Sequence, residues 1–205
     1  MPDKNSFFVT GIGTEIGKTV VSAVLVEKLR ADYWKPVQSG DLDNSDSIKI
    51  KNLISNTVTK IFPEAYQLTQ PFSPHKSADL DGIVIDPHKF ILPKTSNALI
   101  VEGAGGLMVP LNNQFLMIDL IKELNIEVIL VSKNYLGSIN HTLLSIKALK
   151  QYNIPIKGII FNGSEDSYTK DFILQYTGIN LLGHIPDYPV LDKKMIVNAG
   201  AHISL

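Results

Sequence analysis

The segment that most constrains this chain is Gly11-Ile12-Gly13-Thr14-Glu15-Ile16-Gly17-Lys18-Thr19. It follows the apolar run Phe7-Phe8-Val9 and leads into Val20-Val21-Ser22-Ala23-Val24-Leu25-Val26. That is the order strand, glycine-rich turn, helix. Such a turn aims several backbone N–H groups at one point, beside the positive end of a helix dipole, where an anion is held. Lys18 adds a full charge for β- and γ-phosphates, and the Thr19 hydroxyl is a ligand type that Mg²⁺ accepts. A nucleoside triphosphate is the expected occupant. The general phosphate-loop pattern would place its first glycine at Ile12; here that glycine is Gly11, so the loop is longer by one residue. A turn that merely joins a strand to a helix would not require Gly17-Lys18-Thr19 at the helix start.

The rest of the chain alternates in the same way. Residues 6–10 read as a buried strand, and the helix after the loop is expected from Lys18 to about Arg30. Tyr33-Trp34-Lys35-Pro36-Val37 reads as a second strand halted by Pro36, and Gln38-Ser39-Gly40-Asp41 as a turn. Asn44-Ser45-Asp46 has the form of a helix start, with Ile48, Ile50, Leu53 and Ile54 as its buried stripe. From Pro63 to Pro93 prolines are frequent, and residues 70–78, with Pro71 and Pro74, are expected not to form regular helix. Ala98-Leu99-Ile100-Val101-Glu102 is an apolar strand ending in a carboxylate, followed by Gly103-Ala104-Gly105-Gly106. A helix is expected around residues 115–124, a strand at 128–131, and a long helix capped by Ser138 and running to Tyr152. A strand at 158–162, a helix around 172–176 and a short strand at 181–185 complete the pattern.

Apolar strands without alternation, separated by helices, predict an α/β fold: three layers, with a mostly parallel central sheet covered by helices on both faces. Ligands in such folds bind at the carboxyl ends of strands. The polar residues fall there: the loop after the first strand, Lys35 after the second, Glu102 after the third and Asn162 after the fifth. Strand order does not follow from the sequence.

Composition narrows the function. At 205 residues, 44% of them hydrophobic, the chain has enough apolar side chains for one sizeable core, and one domain over 1–205 is expected. A formal net charge of −1 supplies no field to attract nucleic acid or an acidic membrane. The absence of cysteine excludes disulfides, thiolate zinc sites and a cysteine nucleophile, and suits a reducing cytoplasm. Met1-Pro2-Asp3-Lys4-Asn5 lacks the apolar centre of a signal peptide, and no apolar run reaches membrane-spanning length. Glu102 reads either as a solvated strand-end acid or as a Mg²⁺ ligand, with Asp46 as a possible second carboxylate.

Taken together, Thr10-Gly11 through Glu15-Ile16-Gly17-Lys18-Thr19, Lys35-Pro36-Val37-Gln38-Ser39-Gly40, Asn44-Ser45-Asp46, Ser73-Pro74-His75, Val101-Glu102-Gly103-Ala104-Gly105-Gly106, Leu136-Gly137-Ser138-Ile139-Asn140-His141 and Asn162 resemble the dethiobiotin synthetases, a family within the P-loop NTPases. The lengthened loop fits that family. The resemblance implies a reaction in which 7,8-diaminononanoate takes up CO₂ as a carbamate and ATP phosphorylates the carbamate. The second amine then closes a cyclic urea, with ADP and phosphate released. It implies Lys18 and Lys35 as catalytic residues, with Lys35 beside the carbamate and the transferred phosphate. Thr19, Asp46 and Glu102 would hold Mg²⁺. Nucleotide contacts would come from Thr14, Glu15, Ile16, Gly17, Lys18, Thr19 and Val20, from Asp46, from Glu102, Gly103, Ala104 and Gly105, and from Asn162, Gly163 and Pro186. Ser39 would touch the diamine. Gly137, Ser138, Ile139 and Asn140 would reach its carboxylate from a neighbouring subunit, so a homodimer is implied. Ser73-Pro74-His75 suggests a loop near the substrate, with no base role for His75.

Two departures stand out: residues 19–35 are several fewer than is usual in the family, and the tail after Pro186 is short. DNA-partitioning and septum-site ATPases share the loop but carry a further signature lysine where this chain has Gly13. Cobyrinate-type amide synthetases usually carry a glutamine-hydrolysing domain with a cysteine nucleophile, and this chain has no cysteine. A silent paralogue acting as a binding module would have no chemical reason to retain Lys18, Thr19, Lys35 and Glu102 together.

Overall fold

A run of apolar residues with no polar alternation can be a strand only where both sheet faces are covered. The computed structural model describes residues 6–205, and there it builds such a sheet; residues 1–5, read above for the lack of a leader, lie outside the described residues. In chain order the strands are β1 (Ser6–Gly11), β2 (Asp32–Trp34), β3 (Val37–Ser39), β4 (Ile61–Phe62), β5 (Tyr66–Leu68), β6 (Leu99–Gly106), β7 (Glu127–Lys133), β8 (Ile156–Asn162) and β9 (Leu181–Ile185). The helices are α1 (Lys18–Leu29), α2 (Asp46–Leu53), α3 (Pro74–Leu80), α4 (Met117–Leu124), α5 (Ser138–Gln151), α6 (Ser167–Thr177) and α7 (Lys193–Gly200). Seven strands form one sheet in the order β4-β2-β6-β1-β7-β8-β9, and every pair within it is parallel. β3 and β5 form a separate parallel pair beside it.

The pleat sorts the strand residues between two cores. Phe7, Val9, Ile100, Ile129 and Val131 face α1, α2 and α7, where they meet Val21, Val24, Leu25, Ile50 and Ile196. Phe8, Leu99, Val101 and Val128 face the other way, against Met117, Ile118, Ile121 and Leu149 of α4 and α5. Leu130, Ile159 and Phe161 extend that face to Ile146 and Ile173. β1 lies between β6 and β7, so the loop after it opens at the middle of the sheet's carboxyl edge. No helix among the described residues is long and apolar enough to cross a membrane.

Several sequence expectations are corrected. Residues 70–78 are not helix-free: α3 starts at Pro74, the first helical position, where the missing N–H would be unpaired in any case. Gln38 and Ser39 are not a turn but strand β3, since Pro36 ends β2 and the chain resumes beside β5. The α5 cap is Gly137, at φ 98°, and Ser138 is the first helical residue. Ile48 is exposed rather than part of the α2 stripe, whereas Ile50 and Ile54 are buried. Glu102 does not end its strand, because β6 continues through the glycines to Gly106, which pairs with Gly11. β4, β5 and α7 carry no sequence signal strong enough to be expected. β4 has two residues and β5 three, and Asp192 caps α7 in a polar tail.

Phe8 ties β1 to this architecture. It is completely buried, and a Cβ on Gly103 would stand only 2.8 Å from its Cε1, so the ring packs directly on the β6 backbone. Phe8→Ala is expected to cost about 3–5 kcal/mol in urea denaturation. A loss under about 1 kcal/mol would mean that this face closes over the gap.

Candidate active site

The loop after β1 is shaped by backbone constraints that only certain residues meet. Gly17 caps α1 at φ 88°, and a Cβ there would lie 2.1 Å from Asn162 Nδ2. No side chain fits that position. Asn162, at the end of β8, donates from Nδ2 to the Ile16 carbonyl at 3.0 Å and so braces the loop from behind. Glu15 also takes a left-handed φ of 58°, which is strained for a residue bearing a side chain. Lys18 is buried and donates from Nζ to the Gly13 carbonyl at 2.8 Å. Burial lowers its ammonium pKa to about 8, partly offset by Glu102 and lowered further by Lys35.

Next to the loop lies a buried charge cluster. Lys35 follows β2 directly, is 4% exposed, and places Nζ 2.5 Å from Asp46 Oδ2 and 3.2 Å from Glu102 Oε1. Burial alone would lower the Lys35 pKa, but the carboxylates of Glu102 and Asp46 outweigh it and hold the ammonium above its ordinary value. Burial would likewise raise the Asp46 carboxyl, yet the adjacent Lys35 charge, with help from Thr19, holds it below its usual range. Asp46 is the first residue of α2, with Ser45 capping the helix through the Ile48 N–H. Its own N–H donates to Gln38 Oε1 at 3.3 Å. Glu102 is 1% exposed and accepts from Thr19 Oγ1 at 3.0 Å and from Tyr33 at 3.0 Å.

A cavity of about 640 Å³ opens over these groups. Thr14, Glu15, Gly17, Lys18 and Thr19 form one wall, Lys35, Ser39 and Asp46 the floor, and Glu102, Ala104 and Gly105 the side. Ser39 Oγ is buried there with no hydrogen-bond partner. Ser73 and Pro74 close the rim with Pro71 and Phe72, whereas His75 faces a separate hollow with Asp79 and Asn112.

The remaining expected site residues do not line this cavity. Ile16 is buried under the loop, Val20 sits in the first turn of α1, and Gly103 is packed on Phe8. Gly163 and Pro186 directly follow β8 and β9, and the Gly163 N–H donates to the Ile185 carbonyl at 2.9 Å. His184 Nε2 donates to the Gly163 carbonyl at 2.7 Å. Gly137, Ser138, Ile139 and Asn140 stand at the start of α5, outside the cavity of their own chain. Sequence reasoning missed Tyr33 and Phe72, which read as core and loop residues, and took Gln38 for a turn residue. Its place in the Lys35–Gly40 segment was the available signal.

The donor set bears on which cation could sit here. Among the described residues no three His, Cys, Asp or Glu side chains group as metal ligands. Two carboxylates and a hydroxyl converge instead, an all-oxygen set. Mg²⁺ suits such a set because it completes its shell from phosphate oxygens and water.

The family described as an AAA domain matches residues 5–195. The fold is similar to that of a ParA family ATPase from Chlorobium tepidum, with a TM-score of 0.58 at 15% identity, over 98% of this chain and 100% of that one. An ATP-dependent dethiobiotin synthetase from Christiangramia forsetii is 51% identical over 93% of this chain and 92% of its own length. One from Cytophaga hutchinsonii is 47% identical over the same shares. Likeness at that level along nearly all of both proteins is far beyond what a shared loop produces, and this chain belongs to the dethiobiotin synthetase family.

Proposed function

We propose that the chain is an ATP-dependent dethiobiotin synthetase, a single catalytic domain over 1–205, acting in biotin biosynthesis in the cytoplasm. It converts 7,8-diaminononanoate, CO₂ and ATP into dethiobiotin, ADP and phosphate. The observation that carries this reading is the Lys35 ammonium, buried between Asp46 and Glu102 and adjoining the phosphate loop.

The chemistry asks for little covalent participation by the protein. One amine adds to CO₂ and loses a proton, giving a carbamate. A carbamate oxygen then takes the γ-phosphoryl group as the bond to ADP breaks. The second amine attacks the carbamoyl carbon, phosphate leaves, and loss of a proton completes the urea. Positioning and charge stabilisation dominate such a transfer. Lys18 and the loop amides from Thr14 to Val20 hold the phosphates. Thr19, Asp46 and Glu102 hold Mg²⁺, which when bound neutralises charge on the phosphate oxygens. Lys35 keeps its charge through neutral pH and meets the anionic carbamate. Ser39, with its unpartnered hydroxyl, contacts the diamine. Gly103, Ala104 and Gly105 flank the nucleotide, and Asn162, Gly163 and Pro186 hold the base.

The same reading makes the enzyme a homodimer, with Gly137, Ser138, Ile139 and Asn140 supplied by the neighbouring subunit. Supporting this, the α5 start does not line its own cavity, and a helix start leaves its first amides free for an anion. Leu136 is fully exposed beside it, and an apolar groove of about 760 Å³ runs past Met108 and Leu144.

Four measurements test these statements. Incubation with the diamine, bicarbonate and Mg-ATP should release phosphate and form the cyclic urea in step. Lys35→Ala should keep nucleotide binding and lose turnover by roughly a hundredfold or more. Diamine-independent phosphate release, or near-normal turnover in that variant, would sink the assignment. Nucleotide affinity should fall with rising pH above about 8, where free Lys18 loses its proton. The bound phosphates favour the charged form, so binding takes up a proton there, and affinity drops by up to about tenfold per pH unit. Lys18→Arg, always charged, should flatten the profile, and an already flat wild-type profile would contradict the argument. Sedimentation equilibrium should give twice the 22.6 kDa chain mass; a fully active monomer would remove the shared site.

A further inference from the structure

Tyr33 is required by neither the phosphate loop nor the cavity wall. It is completely buried in β2, opposite Ile100 of β6, and Glu102 lies two residues further along the same face. A buried phenol hydroxyl needs an acceptor. Tyr33 Oη donates to Glu102 Oε2 at 3.0 Å, while Thr19 Oγ1 and Lys35 Nζ both approach the other oxygen, Oε1, at 3.0 and 3.2 Å. The two oxygens of one carboxylate therefore have separate duties. Oε2 is tied into the core, and Oε1 faces the side where Thr19 and Lys35 gather.

That division matters for a cation. Mg²⁺ demands a tight octahedral shell and takes a carboxylate through one oxygen, whereas the larger Ca²⁺ readily takes both oxygens of one carboxylate. A carboxylate with one oxygen tied cannot turn to offer both.

We propose that Tyr33 is a positioning residue: by holding Glu102 Oε2 it presents Oε1 alone to the divalent cation and so sets the preference of the site for Mg²⁺ over larger ions. This rests on the reading of Glu102 as a cation ligand given under the proposed function. If Tyr33 only fills the core, removing its hydroxyl changes stability and leaves cation choice untouched.

The test uses the full chain with ADP, so that no turnover is needed. Mg²⁺ and Ca²⁺ affinities are read by competition with Mn²⁺, followed by electron paramagnetic resonance. In Tyr33→Phe, Mg²⁺ affinity should fall by about tenfold or more, and Ca²⁺ affinity by less than about twofold, so that the Ca²⁺-to-Mg²⁺ affinity ratio rises. ADP affinity in the presence of a chelator should stay at the wild-type value. Equal weakening of both cations, or no change in either, overturns the proposal. Glu102→Gln separates the two levels. If that variant keeps wild-type Mg²⁺ affinity, the ligand reading of Glu102 fails; if it loses Mg²⁺ while Tyr33→Phe does not, only the role of Tyr33 fails. Should Tyr33→Phe not fold, 3-fluorotyrosine at position 33, a stronger donor of similar size, decides the matter. The ratio should then shift towards Mg²⁺, and an unchanged ratio overturns the proposal.

Discussion

The constraint on which the site depends is the burial of three charges together. Lys35 and Glu102 are almost wholly out of water, and Asp46 is mostly so. Isolated in such a place, each would be strongly disfavoured; together they offset much of that cost through short contacts. The arrangement has a formal charge of −1 before Lys18 is counted. With Lys18 protonated it is neutral, and a triphosphate then needs a cation to balance it. The same cluster therefore offsets much of its own burial cost in the ligand-free protein and, on the proposed function, leaves a bound triphosphate in need of a divalent ion.

Holding those charges in place falls to elements that are unremarkable singly. β2 is three residues long and ends at Trp34, so Lys35 lies just past its end, before Pro36, which cannot continue the ladder. α2 starts at Asp46 because Ser45 caps it, and Gln38 anchors the Asp46 amide across the gap. Glu102 is carried on the longest strand of the sheet, between β1 and β2. Three separate segments thus converge on one point: the end of β2, the start of α2 and the middle of β6.

How much of this could be read from the residues follows from the range of the forces involved. The phosphate loop, α1 and the long apolar strands were legible because their signals are local: glycine and lysine in order, and unbroken runs such as residues 128–131. Strand order was not legible, since parallel neighbours are chosen by packing far along the chain. Pro74 misled because proline breaks a helix interior but opens a helix well, and periodicity alone does not say which applies. Within the site, the types of Lys18, Thr19 and Glu102 announced themselves. Lys35 and Asp46 acquired meaning from the family resemblance. Tyr33, lying one residue before a tryptophan in a buried strand, looks like core until its hydroxyl is seen against Glu102.

The likeness to partition ATPases shows how little of the function resides in the fold. At 15% identity the two share the sheet and its layers. The further lysine expected from sequence in partition-type loops would fall at Gly13 here, and packing does not impose glycine at that position. A Cβ on Gly13 would meet nothing within 4 Å, unlike one on Gly17. Space for a larger side chain exists, so the difference is chemical. A second ammonium beside the loop comes instead from Lys35, directly after β2 and tied to two carboxylates of its own chain. A lysine in the loop can reach only what lies above the phosphates. On the proposed function, a lysine on the cavity floor faces what enters from the Ser39 side, where the acceptor of the phosphoryl group would stand.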